Sequence, residues 1–165
     1  MASTIPVPIT FSLPEGWHSA PPDEVGAPDA AFVALRPPAS NGFTPNITLS
    51  GELRGNDIPL TQVADEVVAR LEGSVGTVQL GRRKEVGSDE SPGLTQAVRM
   101  PITLQGTKQD VVQFQVFITM RDTQDTSRKV VLHAVLSSTP DRFEGVISEF
   151  QTFLSTIKPD QSPSA

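Results

Sequence analysis

The stretch from Leu94 to Leu136 constrains the fold of this chain more than any other segment. It contains three runs in which apolar residues recur at every second position, separated by polar segments around Gly106 and Asp125. A period of two places successive side chains on opposite faces of a β-strand. The stretch therefore predicts three consecutive antiparallel strands joined by two turns.

The apolar residues of these three runs stand at even-numbered positions, whereas the odd-numbered positions are mixed. We therefore predict one apolar face, formed by the even positions of all three strands, and a semi-polar face formed by the odd positions. The apolar set is Leu94, Val98, Met100, Ile102, Leu104, Val112, Phe114, Val116, Ile118, Met120, Val130, Leu132, Ala134 and Leu136. The sequence leaves open whether a helix covers the odd face.

Two amphipathic helices are predicted on either side of this stretch. Between Leu60 and Glu72, apolar residues recur at spacings of three and four, and Gly73 is expected to end the helix. The second helix is predicted to begin after Thr139 as N-cap, with Pro140 in its first turn.

The rest of the chain completes an α+β fold. Further strands are predicted at Ile9–Leu13, Ala31–Arg36, Ile47–Leu53 and Val75–Val86. Trp17, the only tryptophan, is interpreted as a buried anchor at a turn, with ligand stacking as the alternative. Residues 18–30 are predicted to be a loop.

The predicted architecture is a central antiparallel sheet of about six to seven strands flanked by two main helices. A length of 165 residues suits one domain, so we assign residues 1–165 to a single unit. Its ordered core is predicted over about residues 8–158, and residues 159–165 are predicted to form a flexible tail.

Composition narrows the classes of partner. The net charge is −6, which argues against phosphate backbones and anionic membranes as partners. The single basic run, at residues 82–84, is interpreted as a solvated strand end, with a docking patch as the alternative. No apolar run is long enough to span a bilayer, so we predict no integral membrane segment.

The cysteine count bears on redox chemistry and location. The chain has no cysteine, which excludes disulfides, thiolate metal sites and a cysteine nucleophile. The N-terminal residues lack the pattern of a secretory signal. These features predict a cytoplasmic protein, and the alternative is an exported or envelope-associated protein whose signal segment has been removed.

Motifs for catalysis or cofactor binding are missing from the sequence. There is no nucleophile elbow, phosphate-binding loop or zinc signature, so we predict no cofactor, no metal and no enzymatic activity. The two histidines, His18 and His133, lie far apart in sequence. His18 is interpreted as a loop residue. His133 is interpreted as a packed or hydrogen-bonded sheet residue, with a pocket acid–base group or a partner contact as alternatives.

Three phrases carry a family resemblance: ITFSLPEGW from Ile9, GFTPNITLSGEL from Gly42, and SSTPDRFEGVISEFQTFLSTIK from Ser137. With the order of predicted elements, they make the chain resemble the PsbP-like superfamily, closest to its DcrB-like and LpqN-type branch. The resemblance covers about Ile9 to Ile157. It implies an α/β/α sandwich and, since most members bind proteins without catalysing reactions, a protein partner. The chain lacks the lipobox cysteine of LpqN-type lipoproteins.

Two functional hypotheses follow. The first is a non-enzymatic protein-binding module, an adaptor or chaperone for a secreted or membrane-associated partner. Its partner-binding residues would lie on the odd face, at Gln113, Gln115, Phe117, Val131, His133 and Val135. The alternative is a small-ligand carrier or an unrecognised hydrolase with a pocket between sheet and helix. The sequence leaves the oligomeric state open.

Overall fold

The structure is a computed structural model, and it describes residue 5 and residues 9–23, 30–39, 42–88, 91–104, 106–121, 125 and 127–159. Most of the predicted tail, residues 160–165, lies outside the described residues. The elements are β1 (Ile9–Thr10), β2 (His18–Ala20), β3 (Phe32–Leu35), β4 (Asn46–Gly55), α1 (Leu60–Val75), β5 (Gln79–Gly87), β6 (Pro92–Leu104), β7 (Thr107–Arg121), β8 (Arg128–Ser138), α2 (Pro140–Thr156) and β9 (Lys158–Pro159).

Seven strands form one antiparallel sheet in the order β2-β3-β4-β8-β7-β6-β5, and β1 pairs with β9 in a separate two-stranded sheet. The predicted α+β class and strand number are confirmed. The chain leaves β4 in the middle of the sheet and re-enters at the edge strand β5. Because α1 makes this connection, it passes over the strands between them, whereas α2 follows β8.

The two helices lie on opposite faces of the sheet, as the neighbouring residues Val116 and Phe117 show. Successive residues of a strand point to opposite faces. Phe117 packs with Val63 of α1, and Val116 packs with Phe150 of α2. We call the two sides the α1 face, which includes Phe117 and Val131, and the α2 face, which includes Val116 and Leu136.

The predicted single apolar face of even positions is wrong. The register pairs Leu94 with Phe117, so even residues of β6 share a face with odd residues of β7. From β7 to β8 the parity is kept, since Phe114 pairs with Leu136. Two residues separate the paired Leu104 and Thr107, and this turn length sets the parity. Each face of the sheet therefore collects apolar residues from both parities.

The helices are where the sequence predicts them, but α1 ends later than expected. Gly73 lies inside α1, and Gly76, with a φ of 88°, is the C-cap and bonds its N–H to the carbonyl of Glu72. Thr139 and Pro140 begin α2 as predicted, although Thr139 makes no side-chain capping bond. Neither helix has the length and apolar content needed to cross a bilayer, among the residues that the structure describes.

Of two predictions near the N-terminus, one is confirmed and the other is wrong in part. Trp17 is buried, with 5% of its surface exposed, and belongs to the α2-side core, which confirms the anchor. The loop predicted for residues 18–30 is wrong at its start, because His18 begins β2 and pairs with Leu35. This strand is short and polar, so its pairing comes from the neighbouring strand rather than from its own periodicity.

A polar contact fixes Trp17 in place. Its indole Nε1 donates a hydrogen bond of 2.7 Å to Glu149 Oε1 of α2, and Arg36 Nε donates to the same oxygen at 3.1 Å. One carboxylate therefore satisfies both a buried indole and a guanidinium. The contact joins α2 to the segments before β2 and after β3.

Replacing Glu149 with alanine is expected to lower the free energy of unfolding by about 1–3 kcal/mol, the cost of leaving the buried indole N–H of Trp17 without a partner. Glu144→Ala, on an exposed position of the same helix, provides the matched control. Urea unfolding followed by Trp17 fluorescence measures both variants. Equal stability of the two would show that the contact does not anchor α2.

Candidate functional site

A concave site lies on the α1 face. It is a cleft of about 410 Å³ between α1 and the sheet. Its lining residues are Ser50, Gly51 and Glu52 of β4, Val63, Val67, Arg70, Leu71 and Ser74 of α1, Phe117 of β7, and Val131 and His133 of β8. We call this site the α1 cleft.

The cleft lies where a small residue of the sheet faces the helix. On the α1 face β4 contributes Ser50, the register partner of His133, and its short side chain leaves space between the strand and α1. The floor is apolar, since Phe117 and Val131 are at most 1% exposed and pack against α1. An apolar floor beneath an open mouth is the usual form of a binding site.

The two arginines near the mouth of the cleft, Arg54 and Arg70, differ in their hydrogen-bond partners. Arg54 donates two hydrogen bonds to the Glu66 carboxylate, at 2.8 and 2.9 Å, and one to Glu52 at 3.2 Å. The bond from Arg54 lowers the pKa of Glu66 to about 2, and the pKa of Arg54 is raised in turn. Arg70 makes no hydrogen bond or salt bridge with another described residue. Arg70 therefore has no direct carboxylate partner among the described residues, although its charge also helps to lower the pKa of Glu66.

His133 lies in the middle of β8, at the border of the cleft. Its ring stacks on Phe117 with a centroid distance of 4.4 Å and an angle of 8°. The residue keeps some exposed surface, but its Nε2 is shielded from solvent and has no hydrogen-bond partner in the described structure. This burial lowers the pKa of His133 to about 4, and the charge of Arg70 lowers it further in the same direction. The imidazole is therefore neutral at pH 7.

A ladder of amide side chains runs beneath α1 beside the cleft. Gln96 Nε2 donates to Gln115 Oε1 at 2.6 Å, and Gln115 Nε2 donates to Gln113 Oε1 at 2.9 Å. At the other end, Arg83 Nε donates to Gln96 Oε1 at 2.8 Å, and Arg83 Nη1 contacts Asp65 of α1 at 2.7 Å. The ladder links β5, β6 and β7 to the helix.

This ladder corrects the interpretation of the basic run. Residues 82–84 lie in the middle of the edge strand β5 rather than at a strand end. Arg83 is half-buried through its contacts with Gln96 and Asp65, whereas Arg82 and Lys84 are exposed. The alternation of the strand separates them, because Arg83 points to the α1 face.

The structure divides the six predicted partner-binding residues into groups. Phe117, Val131 and His133 come together in the α1 cleft. Gln113 and Gln115 belong to the amide ladder, and Val135 is buried, with 7% of its surface exposed. The helix α1 thus covers part of the odd face of β7 and β8. Partner binding by these residues stays a prediction.

Sequence reasoning missed Arg70, Gln96 and the pair of Arg54 with Glu66. Arg70 follows an exposed alanine near the end of an amphipathic helix, and an arginine at such a position is usually interpreted as a solvated residue. Gln96 interrupts an apolar run at an even position, which is a signal that the periodicity analysis could have used. A polar residue at a core position needs a buried hydrogen-bond partner.

The chemistry available in the cleft is limited. No group of three or more histidine, cysteine or acidic side chains that could hold a metal ion occurs among the residues described. Glu52 lines the cleft with His133, but its carboxylate is paired with Arg54. The arrangement offers apolar side chains, the hydroxyls of Ser50 and Ser74, a neutral imidazole and the guanidinium of Arg70, which forms no salt bridge with a described residue.

Comparison with known proteins places the fold. No protein-family model matches the chain, and no curated protein matches it significantly. LpqN of Mycobacterium tuberculosis, involved in cell envelope biogenesis, matches with a TM-score of 0.58 and 14% identity over 92% of this chain and 83% of LpqN. The solution structure of the cyanobacterial PsbP protein CyanoP from Synechocystis matches with a TM-score of 0.56 and 18% identity over 92% and 86%. The chain has the PsbP-like fold.

A third match has the same fold and a protein partner of its own. The Saccharomyces cerevisiae Ran-binding protein Mog1p matches with a TM-score of 0.56 and 16% identity, over 92% of this chain and 89% of Mog1p. The resemblance to the PsbP-like and LpqN-type fold, drawn from the sequence, is confirmed. At these identities the matches establish the PsbP-like fold alone.

Proposed function

We propose that this PsbP-like chain is a non-enzymatic protein-binding module that accepts an apolar side chain of its partner in the α1 cleft. The observation that carries the proposal is the cleft itself, an open site of about 410 Å³ with an apolar floor. Pockets that bury one apolar anchor with a polar rim are typical of binding energy concentrated in a few residues.

The structural neighbours support a protein partner. Mog1p is described as Ran-binding, and LpqN as involved in cell envelope biogenesis. By analogy, the proposed role is that of an adaptor or chaperone for a secreted or membrane-associated protein. The analogy rests on fold, so the choice of partner depends on the side chains of the cleft.

The state of His133 favours binding over hydrolysis. A catalytic imidazole is normally oriented by a hydrogen bond from its second nitrogen to a carboxylate or carbonyl. His133 Nε2 has no such partner in the part of the chain that the structure describes. The carboxylate of Glu52, which also lines the cleft, accepts a hydrogen bond from Arg54. The imidazole thus lacks the group that would hold it for proton transfer.

A small-ligand carrier is the second candidate, and the size of the cleft favours it. Small-molecule sites usually enclose about 300–1,000 Å³, and the α1 cleft falls in that range. A thermal-shift screen of small apolar compounds would support this role if compounds stabilise the wild-type protein but not a variant with a filled cleft.

The protein-binding proposal is tested by filling the cleft from an exposed position. Ser74 is exposed and lines the cleft, so Ser74→Trp blocks the site without disturbing buried residues. Peptides selected from a displayed random library on the wild-type protein are expected to bind Ser74→Trp at least about ten-fold more weakly, since the variant removes an anchor pocket.

The matched control is Ser148→Trp, which places the same side chain on an exposed position of α2. It is expected to retain the affinity of the wild type. Affinities are measured by fluorescence polarisation with the selected peptides. The proposal fails if no selected peptide distinguishes Ser74→Trp from Ser148→Trp.

A further inference from the structure

We propose that the α1 cleft recognises an extended peptide in which an apolar residue is closely followed or preceded by an aspartate or glutamate, with Arg70 binding the carboxylate. This inference rests on the proposed protein-binding function and specifies the chemistry of the partner. The apolar side chain would lie against Leu71, the half-buried apolar residue of the lining, and the acidic side chain would reach Arg70 at the mouth.

The first support is the charge complementarity between Arg70 and an acidic residue of the peptide. Two arginines stand near the cleft, and Arg54 is neutralised by Glu66 and Glu52. Arg70 lines the cleft and forms no salt bridge with any residue described. A guanidinium beside an apolar floor favours a carboxylate, which it can bind with two parallel hydrogen bonds. Arg70 is thus the lining residue whose guanidinium can bind the carboxylate of a peptide.

The second support is that the end of α1, at Ser74, presents hydrogen-bond acceptors. Ser74 lies in the last turn of α1, where backbone carbonyls lack intrahelical donors, and the carbonyl of Glu72 accepts the Gly76 N–H in the capping contact. These acceptors need N–H donors and repel a second anion. A peptide supplies backbone N–H groups together with one carboxylate. A fatty acid supplies only acceptors, so the site fits a peptide better.

The positions of Arg70, Ser74 and Ser50 define the direction in which a peptide would lie in the cleft. Arg70 and Ser74 are four residues apart and therefore lie on the same side of α1. Ser50 of β4 lines the opposite wall, and its register partner is His133. An extended segment between these walls would meet the donor-seeking end of α1 at Ser74 and the cation at Arg70.

The test compares Arg70→Gln with Arg82→Gln, which removes the same charge from an exposed position on β5. Peptides selected from the random library on the wild-type protein are expected to contain an apolar residue within two positions of an aspartate or glutamate. Arg70→Gln is expected to weaken their binding about three- to ten-fold, in the range of charge-assisted hydrogen bonds at partly exposed sites. Arg82→Gln is expected to leave it unchanged.

Changing the acidic residue of the peptide to its amide completes a double-mutant cycle. The amide peptide is expected to lose affinity for the wild type but to lose none for Arg70→Gln. Peptide occupancy of the cleft is followed independently through the imidazole NMR signal of His133, which Phe117 and the cleft surround.

The outcomes separate the two proposals. Peptides that are blocked by Ser74→Trp but bind Arg70→Gln as tightly as the wild type would overturn the acidic requirement and leave the protein-binding function standing. Selected peptides without acidic residues would also overturn it. If Ser74→Trp blocks no peptide, the docking site itself is lost, and the inference falls with it.

Discussion

Replacing Gln96 with leucine is expected to lower the free energy of unfolding by about 2–4 kcal/mol, because it leaves buried polar groups without partners. Gln96 has no exposed surface and stands at the centre of the amide ladder. Its loss would remove the partner of Gln115 Oε1 and that of Arg83 Nε. Leucine has a similar volume, so the expected cost comes from hydrogen bonding rather than from a cavity.

The double variant Gln96→Leu/Gln115→Leu separates this cause from a general loss of packing. Removing both partners of a buried hydrogen bond costs less than removing one. The double variant is therefore expected to be more stable than Gln96→Leu alone. Gln151→Leu, on an exposed position of α2, controls for the added apolar surface. Chemical denaturation of the four proteins measures the effect, and an unchanged stability of Gln96→Leu would contradict a structural role of the ladder.

His133 is expected to make the stability of the protein fall by roughly 3 kcal/mol between pH 6.5 and about pH 4. Burial lowers the pKa of its imidazole in the folded state from 6.5 to about 4. On acidification the unfolded chain binds the proton first, so the folded state loses stability across this window and no more below it. The size follows from roughly 1.36 kcal/mol for each pKa unit between the two states.

Denaturation of the wild type and of His133→Gln at pH 7 and pH 4.5 checks this expectation. The stability of His133→Gln should fall less across the interval, because its side chain binds no proton in either state. An NMR titration of the imidazole signals gives a second readout. Because the chain has only two histidines, the signal that is missing in His133→Gln belongs to His133. Parallel pH profiles of the two proteins would show that His133 is accessible to protons in the fold.

A second acid-sensitive group, Glu66, acts at lower pH. Hydrogen bonds from Arg54 lower the pKa of Glu66 from 4.5 to about 2, so its contribution is present above pH 4.5 and is lost as the pH falls towards 2. The windows of His133 and Glu66 therefore follow one another as acid is added. His133→Gln should change the upper window and leave the lower one in place.

The elements of the fold were predictable because their signals are local. The spacing of Val63, Val67 and Leu71 specified α1, and alternation specified β6, β7 and β8. Pro140 located the start of α2 because the fixed φ of proline suits the first turn of a helix, whereas Thr139 stands at the N-cap position without a side-chain capping bond. The end of α1 was predicted wrongly at Gly73, because the helix continues to Val75 and Gly76 is its C-cap.

The candidate site was predicted only in part. From the sequence, His133, Phe117 and Val131 were predicted on a semi-polar face. The register of the paired strands brings these three residues to one cleft. The missing member, Arg70, belongs to a helix whose position over the sheet depends on the connection from β4 to β5. No local pattern in the sequence encodes which strand edge the chain returns to.

The repeating apolar stretch from Leu94 to Leu136 by itself determined that three antiparallel strands form, because strand periodicity is a property of neighbouring residues. Only the tertiary structure decided which side of each strand faces which helix. A register shift of one residue exchanges the two sides of a strand, and the pairing of Leu94 with Phe117 made that choice for β6. The same pairing buried Gln96 beside Gln115, and the pairing of β7 with β8 set the ring of His133 on Phe117 with its Nε2 shielded from solvent. These outcomes depend on contacts between residues distant in sequence, so the order of the amino acids alone could not show them.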